Sequence, residues 1–199
     1  MSALVPTPDG DRFFTRPIPP ITYSDGVLTI RPPRTDDLEA DLAAKDDEQI
    51  RWMWLPGERE AWEAMPPAAQ REHARRGLQT RHDAFGTGPK WTFSVDTRDA
   101  VCVAYIDCDL ANQHVPNGEA NVAYSTHPAF RGKGYLSRAV RLLQQFLVDH
   151  TAAPRAHLLI DIDNVASLRV ARAVGATERE RWVDDRGSTM ARHVLDLRE

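Results

Sequence analysis

Hydrophobic and polar positions along this chain switch repeatedly between a period of two and a period near 3.6, and the switches mark out its elements. Gly26 to Arg31 alternates Leu28 and Ile30 with polar partners, a first predicted strand. Thr35, Asp36 and Asp37 then cap a helix carrying Leu38 and Leu42, with the acids at the positive end of its dipole. Asp46 to Leu55 predicts a second short helix with Ile50, Met53 and Trp54 on one side, stopped by Pro56-Gly57. Pro66-Pro67 opens a longer helix, with Ala74, Leu78 and Phe85 on one face. Its Arg71, Arg75, Arg76 and Arg81 read as a solvated face. After the turn from Gly86 to Pro89, Trp91, Phe93 and Val95 alternate with Thr92, Ser94 and Asp96, a half-buried strand. Asp96 to Asp99 predicts a hairpin turn, and Val101 to Ile106 a continuous apolar strand at the sheet centre.

The second half repeats the switch. A loop at Pro116-Asn117-Gly118 leads into a strand-like run, Asn121 to Ser125, ended by His127-Pro128, because the residue before a proline is pushed to extended geometry. Arg131-Gly132-Lys133-Gly134 is a turn. From Tyr135 a helix places Leu136, Ala139, Val140, Leu143, Phe146 and Leu147 on one face. His157 to Ile162 predicts a buried strand, and Asn164 caps a helix bearing Leu168, Ala171 and Val174. Gly175 stands where a helix end favours positive φ. Runs 178–183 and 189–197 are joined by Asp184-Asp185-Arg186-Gly187, a hairpin signal. The order predicts an α/β (α+β) domain built on a mixed sheet of six to seven strands flanked by helices. Residues 1–24, rich in proline, read as an extended arm, and residues 25–199 as one domain.

Composition narrows the class. Apolar residues at 42% and charged residues at 27% are those of a globular protein. A net charge of −4 gives no general attraction for nucleic acid or an anionic membrane, so a phosphate ligand needs a local site. The N-terminus has no basic start followed by an apolar core, and no apolar run reaches the roughly 20 residues that span a bilayer. A cytoplasmic monomer or homodimer is expected. Cys102 and Cys108, in one strand-like run, fall roughly 20 Å apart at the strand rise and read as reduced core thiols. The histidines show no metal-ligand spacing, and no metal is expected.

The turn at Arg131 to Gly134 carries the most chemistry. Glycines there let backbone approach a ligand closely. The first amides of the following helix are free donors at the positive end of its dipole, an anion site whose usual guest is phosphate. Arg131 and Lys133 lie inside the turn. The nucleoside-triphosphate loop pattern does not occur, and the third glycine of a dinucleotide fingerprint is missing.

Four stretches, taken with this order of elements, resemble the GNAT superfamily of N-acetyltransferases over about residues 26–197. They are Leu28 to Pro32 with Thr35 to Leu38, Asp47 to Pro56, His127 to Gly134, and Asn164-Val165-Ala166-Ser167 with Gly175. The second and fourth are similar to the subgroup that acetylates ribosomal-protein N-termini. The resemblance implies acetyl-CoA as co-substrate, in a cleft where the fourth and fifth predicted strands splay apart. It implies that backbone amides from Arg131 through Gly132, Lys133, Gly134 and Tyr135 to Leu136 hold the pyrophosphate, with Arg131 and Lys133 adding charge. The pantetheine arm pairs like an extra strand near Ala123 to Ser125, so that Tyr124, Ser125 and Thr126 join the coenzyme site. An amide of that strand polarises the thioester carbonyl. The resemblance also implies that the amine attacks directly, in a ternary complex, with no covalent enzyme intermediate and no cysteine nucleophile.

An α-amine titrates near 7.7–8.0 and a lysine near 10.4, so the acceptor needs a base. Glu119, thirteen residues before Gly132 and close to where many members carry theirs, is the first choice, with Asp107 and Asp109 behind it. Asn164 is assigned to coenzyme binding and Ser167 to the thiol end. Many members carry a tyrosine where this chain has Ala171, and Tyr124 and Tyr135 are alternative donors. Ala129 stands where the commonest loop pattern has Gln or Arg. Trp52, Trp54, Trp62 and Trp182 fall where the acceptor pocket is expected. The implied function is acetyl transfer to a primary amine, a protein N-terminal α-amine or a small molecule. An aminoglycoside, a polyamine or an aminoacyl nucleotide as acceptor, and a non-catalytic coenzyme A-binding domain, are the alternatives.

Overall fold

The structure, a computed structural model, describes residues 21–85 and 87–198. Its strands are β1 (Tyr23–Ser24), β2 (Leu28–Arg31), β3 (Lys90–Thr97), β4 (Ala104–Asp109), β5 (Ala120–Thr126), β6 (Arg155–Asp161), β7 (Thr177–Val183) and β8 (Thr189–Asp196). Its helices are α1 (Leu38–Ala43), α2 (Asp47–Met53), α3 (Glu58–Glu63), α4 (Pro67–Ala84), α5 (Tyr135–His150) and α6 (Val165–Ala173). The eight strands form one sheet in the order β1-β2-β3-β4-β5-β6-β8-β7. Every neighbouring pair is antiparallel except β5 and β6, which run parallel. That parallel ladder is short, pairing only Ala120 with Ala156 and Asn121 with His157. Beyond it β5 stays paired to β4 as far as Thr126, and β6 to β8 as far as Asp161. The two strands therefore part, each with an unpaired inner edge.

The core explains why the sheet holds its shape on either side of that gap. α5 buries Ala139, Val140, Leu143, Phe146 and Leu147 of the stripe that its periodicity predicts, and Leu142 besides, while Leu136 is half-buried. Phe146 meets Phe93 edge-on at 5.0 Å and Trp91 at 5.7 Å, and Phe93 meets Phe85 at 4.8 Å. Removing a buried ring of this kind costs about 3–5 kcal/mol. On the opposite face α1 and α4 form a smaller cluster from Leu38, Ala74 and Leu78. The alternation along β4 and β5 leaves that opposite face polar: Tyr105, Asp107 and Asp109 project to it beside Asn121, Ala123 and Ser125.

A buried ion cluster ties this face together. The Arg31 guanidinium meets both carboxylate oxygens of Asp37, at 3.0 and 2.6 Å, and both of Asp96, at 2.6 and 2.9 Å. Ser94 Oγ donates to Asp37 at 2.7 Å. Arg31 is 5% exposed and Asp37 1%, so the cluster is largely dry.

Three readings of the sequence change. The sheet has eight strands rather than six or seven, because Tyr23–Ser24 pairs with β2. Two residues are too few for alternation to show, and the hydrogen bond from the Tyr23 hydroxyl to Asp149, at 2.7 Å, is long-range. Residues 1–20 of the proline-rich arm lie outside the described residues, as does Gly86 of the predicted turn. The strand expected at 101–106 runs instead from Ala104 to Asp109. Val101 is exposed, and Cys102 takes a φ of +51° with its amide on Asp96, so the apolar run begins in a connection. Cys102 and Cys108 therefore do not share a strand, although both are buried free thiols. Finally, α3 follows the Pro56-Gly57 stop. Its sequence, Glu58 to Glu63, has too few apolar positions to show a period.

Candidate active site

The gap between β5 and β6 opens into a cleft of about 1010 Å³. Its walls are Asn121 to Thr126 of β5, Leu158 to Asp161 of β6, the turn from Phe130 to Ser137, the inner side of α6, Glu48, Gln49 and Arg51 to Met53 of α2, and Arg186, Ser188 and Met190 of the last hairpin.

The turn at its mouth is built as the sequence suggested. Gly132 and Gly134 both take φ +74°, a conformation that only glycine adopts without strain. Gly134 is the N-cap of α5 and offers no side chain to cap it, so the first-turn amides remain available donors at the positive end of the dipole. Tyr124, Ser125, Thr126, Tyr135, Leu136 and Asn164 also line the cleft. The unpaired edge of β5 from Val122 onward carries backbone donors and acceptors of the kind that an extended chain pairs with.

The two cations of the turn behave differently. Arg131 is a clamp. Its guanidinium meets both oxygens of Asp46, at 2.6 and 2.7 Å, and Glu48 at 2.8 Å. Asp46 is also the N-cap of α2, accepting from the Gln49 amide at 2.9 Å. The Arg131 hydrogen bonds hold the Asp46 carboxyl below its ordinary range. The charge of Arg131 is thus balanced from α2, and Lys133 is the cation left exposed, its Nζ 4.8 Å from the Phe130 ring centre. No carboxylate among the described residues pairs with Lys133.

At the other wall Asn164 caps α6, its Oδ1 accepting from the Ser167 amide at 3.0 Å. The Tyr124 hydroxyl donates to the Ser167 carbonyl at 3.4 Å, and burial pushes the Tyr124 phenol up to about 12. The Ser167 hydroxyl lines the cleft with no partner among the described residues.

The carboxylates lie less simply. Glu119 immediately precedes β5, is 8% exposed and is not part of the cleft wall. It accepts from His157 Nε2 in a short hydrogen bond and pairs with Arg155 at 3.3 Å. Asp107 and Asp109 are also outside the wall. Burial pushes Asp107 up, against the opposing pull of Lys90, whose Nζ is 3.3 Å away. The acids that do line the cleft are Glu48, Asp161 and Asp163. Asp161 and Asn121 are wall residues that sequence reasoning passed over. Alternation along His157 to Asp161 puts Asp161 on the face of His157, but only the parallel register shows that this face meets the cleft. Of the tryptophans, Trp52 lines the cleft. Trp54 and Trp62 pack edge-on at 5.9 Å, with Lys45 over the Trp62 ring, and Trp182 lies under Arg192. Among the described residues no group of His, Cys, Asp or Glu could hold a metal, and no helix is long and apolar enough to cross a membrane.

The sequence pattern of the acetyltransferase (GNAT) domain matches residues 27–177, so the chain belongs to that family and is an N-acetyltransferase by class. No curated protein matches it in sequence. Solved structures show the same fold at low identity. A GNAT-family acetyltransferase from Bacillus anthracis is 15% identical with a TM-score of 0.70, covering 90% of this chain and 100% of its own. RimL, a ribosomal L7/L12 α-N-protein acetyltransferase in complex with coenzyme A, is 15% identical with a TM-score of 0.69, over 88% of this chain and 98% of its own. The microcin C7 self-immunity acetyltransferase MccE, in complex with acetyl-CoA and AMP, is 14% identical with a TM-score of 0.64, over 87% and 93%.

Proposed function

We propose that this protein transfers the acetyl group of acetyl-CoA directly to a primary amine, in the cytoplasm, with both substrates bound at once. The parting of β5 from β6 beneath an uncapped, glycine-shaped turn carries the reading. The amides from Arg131 to Leu136 hold the pyrophosphate, with Lys133 as the nearby charge and Arg131 fixing the turn against α2. The free edge of β5 at Ala123 to Ser125 aligns the pantetheine arm and gives an amide to the thioester oxygen. Asn164 orients the coenzyme from the cap of α6, and the free hydroxyl of Ser167 stabilises the departing thiolate. Glu119 is the final proton acceptor and, being walled off from the cleft, takes the proton indirectly.

The acceptor enters from the side bounded by Trp52, Asp161 and the last hairpin. A protein N-terminal α-amine is the acceptor we favour. The Asn164–Ser167 pair matches the ribosomal-protein subgroup in sequence, and RimL shares the fold.

The test is thiol release from acetyl-CoA across a panel of amines: peptides beginning with alanine or serine, spermidine, an aminoglycoside and an aminoacyl nucleotide analogue. Turnover is expected, fastest with the peptides, and Ser167→Ala should lower kcat about tenfold or more while coenzyme affinity holds. Tight coenzyme A binding with no thiol release from any amine would make the protein a coenzyme-binding domain instead.

A further inference from the structure

Two polar atoms in the wall between Glu119 and the cleft are buried without a partner: Nδ1 of His157 and Oδ1 of Asn121. Their residues are direct partners in the parallel ladder, so both side chains leave the sheet on one face. Glu119, two residues before Asn121, leaves on the same face, and its carboxylate meets His157 Nε2. Asn121 and Leu159, which flank His157, line the cleft. His157 itself is 3% exposed. An ionised carboxylate can only accept, so Nε2 donates to Glu119, and in the neutral imidazole Nδ1 is then an acceptor. Orphaned buried polar atoms are uncommon, and two on neighbouring residues of one face suit a bridging water.

We infer that His157 relays the acceptor's proton from the cleft to Glu119, through a water held between His157 Nδ1 and Asn121. The inference rests on the acetyl-transfer reading. The ammonium gives its proton to the water as that water protonates Nδ1. The proton on Nε2 moves to the Glu119 carboxylate. The products are a neutral amine, a neutral imidazole and a carboxylic acid, and the freed lone pair attacks the thioester carbonyl. Glu119 loses the proton to solvent past Arg155, whose side chain is 52% exposed, and the imidazole regains its Nε2–H form by taking a proton from solvent through Glu119 as Nδ1 gives its own to the bridging water. His157 is a positioning and relay residue and does not itself touch the acceptor.

The charges facing the pair come from every neighbouring strand. Arg155 and Asp196 pair at 3.3 Å beside Glu119. Asp109 on β4 is the cross-strand partner of Asn121. Arg192 on β8 neighbours Leu159, pairs with Glu180 at 3.0 Å and donates to the carbonyl of His114 in the loop before β5. None of these changes in the variants below, so a change in pH response reports the loss of the relay.

His157→Gln keeps a donor where Nε2 meets Glu119 and has neither Nδ1 nor a titrating ring. With the fastest amine of the panel, kcat should fall about 100-fold and its pH profile should follow the amine's own ionisation, while KM and coenzyme affinity stay within about twofold. Asn121→Leu should lower kcat by less than His157→Gln does. The wild type should give a curved proton inventory in H₂O/D₂O mixtures, since several protons move together. A linear inventory, or a His157→Gln enzyme with unchanged rate and pH profile, overturns the relay and leaves acetyl transfer standing. A wild type that binds coenzyme A but releases no thiol with any amine removes both.

Discussion

At the scale of single residues, what could be read in advance was what is local. Gly132 and Gly134 declare a turn through spacing and context, and the structure gives both the same φ, +74°. Asn164 declares a cap through its place before an apolar period, and it is one. Arg131 reads as a phosphate ligand because sequence shows its neighbours in the turn, whereas its partners Asp46 and Glu48 are more than eighty residues away. The same limit hid His157, whose meaning depends on pairing register with Asn121. A prediction follows from the glycines. A methyl group at Gly134 meets nothing within 4 Å, so Gly134→Ala acts through the backbone alone. Left-handed strain of about 1–2 kcal/mol should turn the helix entry and weaken coenzyme A binding about tenfold, with the melting temperature moved only slightly. Calorimetric titration with coenzyme A measures it. Unchanged affinity would mean that the turn's amides do not hold the pyrophosphate.

At the scale of elements, strong periods were legible and short pieces were not. α5 buries the stripe that its sequence spaces out, and β3 alternates as written. β1, a two-residue strand, and α3, a six-residue helix, carry too little pattern to be seen. β4 starts later than its apolar run suggests, because that run begins in a connection and pairing carries the strand on to Asp107 and Asp109 on the polar face. The coupling of α2 to the glycine turn belongs to this scale. One guanidinium joins the N-cap of α2 to the turn, so the element bearing Trp52 and the turn before α5 share an anchor. Arg131→Ala should free α2 from the turn, raise the acceptor KM and weaken coenzyme binding by about fivefold or less, in keeping with a partly exposed pair. Arg131→Lys should recover only part, because one ammonium cannot span both Asp46 oxygens and Glu48. Equal loss of coenzyme affinity in both, with no change in acceptor KM, would assign Arg131 to the phosphate instead.

At the scale of the whole molecule, the sheet has to stay rigid on the β1–β5 side while β6, β8 and β7 stand apart across the cleft. The long aromatic packing under α5 serves one face, and the Arg31 cluster serves the other, linking β2 to β3 and to the turn before α1. The cluster makes stability depend on pH in a definite direction. Burial alone would raise the Asp37 carboxyl, but hydrogen bonds from Arg31, the Arg34 amide and Ser94 outweigh it and hold Asp37 below its ordinary value. A carboxylate whose folded value lies below its unfolded one, near 3.9, adds stability that is fully present above that value and is lost as pH falls through the folded value. Asp37→Asn leaves the shape but strands Arg31 with one partner, and should cost about 3 kcal/mol at neutral pH. Because the variant has no carboxylate to protonate, its urea midpoint should fall less steeply than the wild type's between about pH 5 and pH 2.5, so that the two curves converge in acid. Curves that stay parallel over that range would show that Asp37 is as easily protonated folded as unfolded, and that the polar face is held by packing rather than by its buried charge.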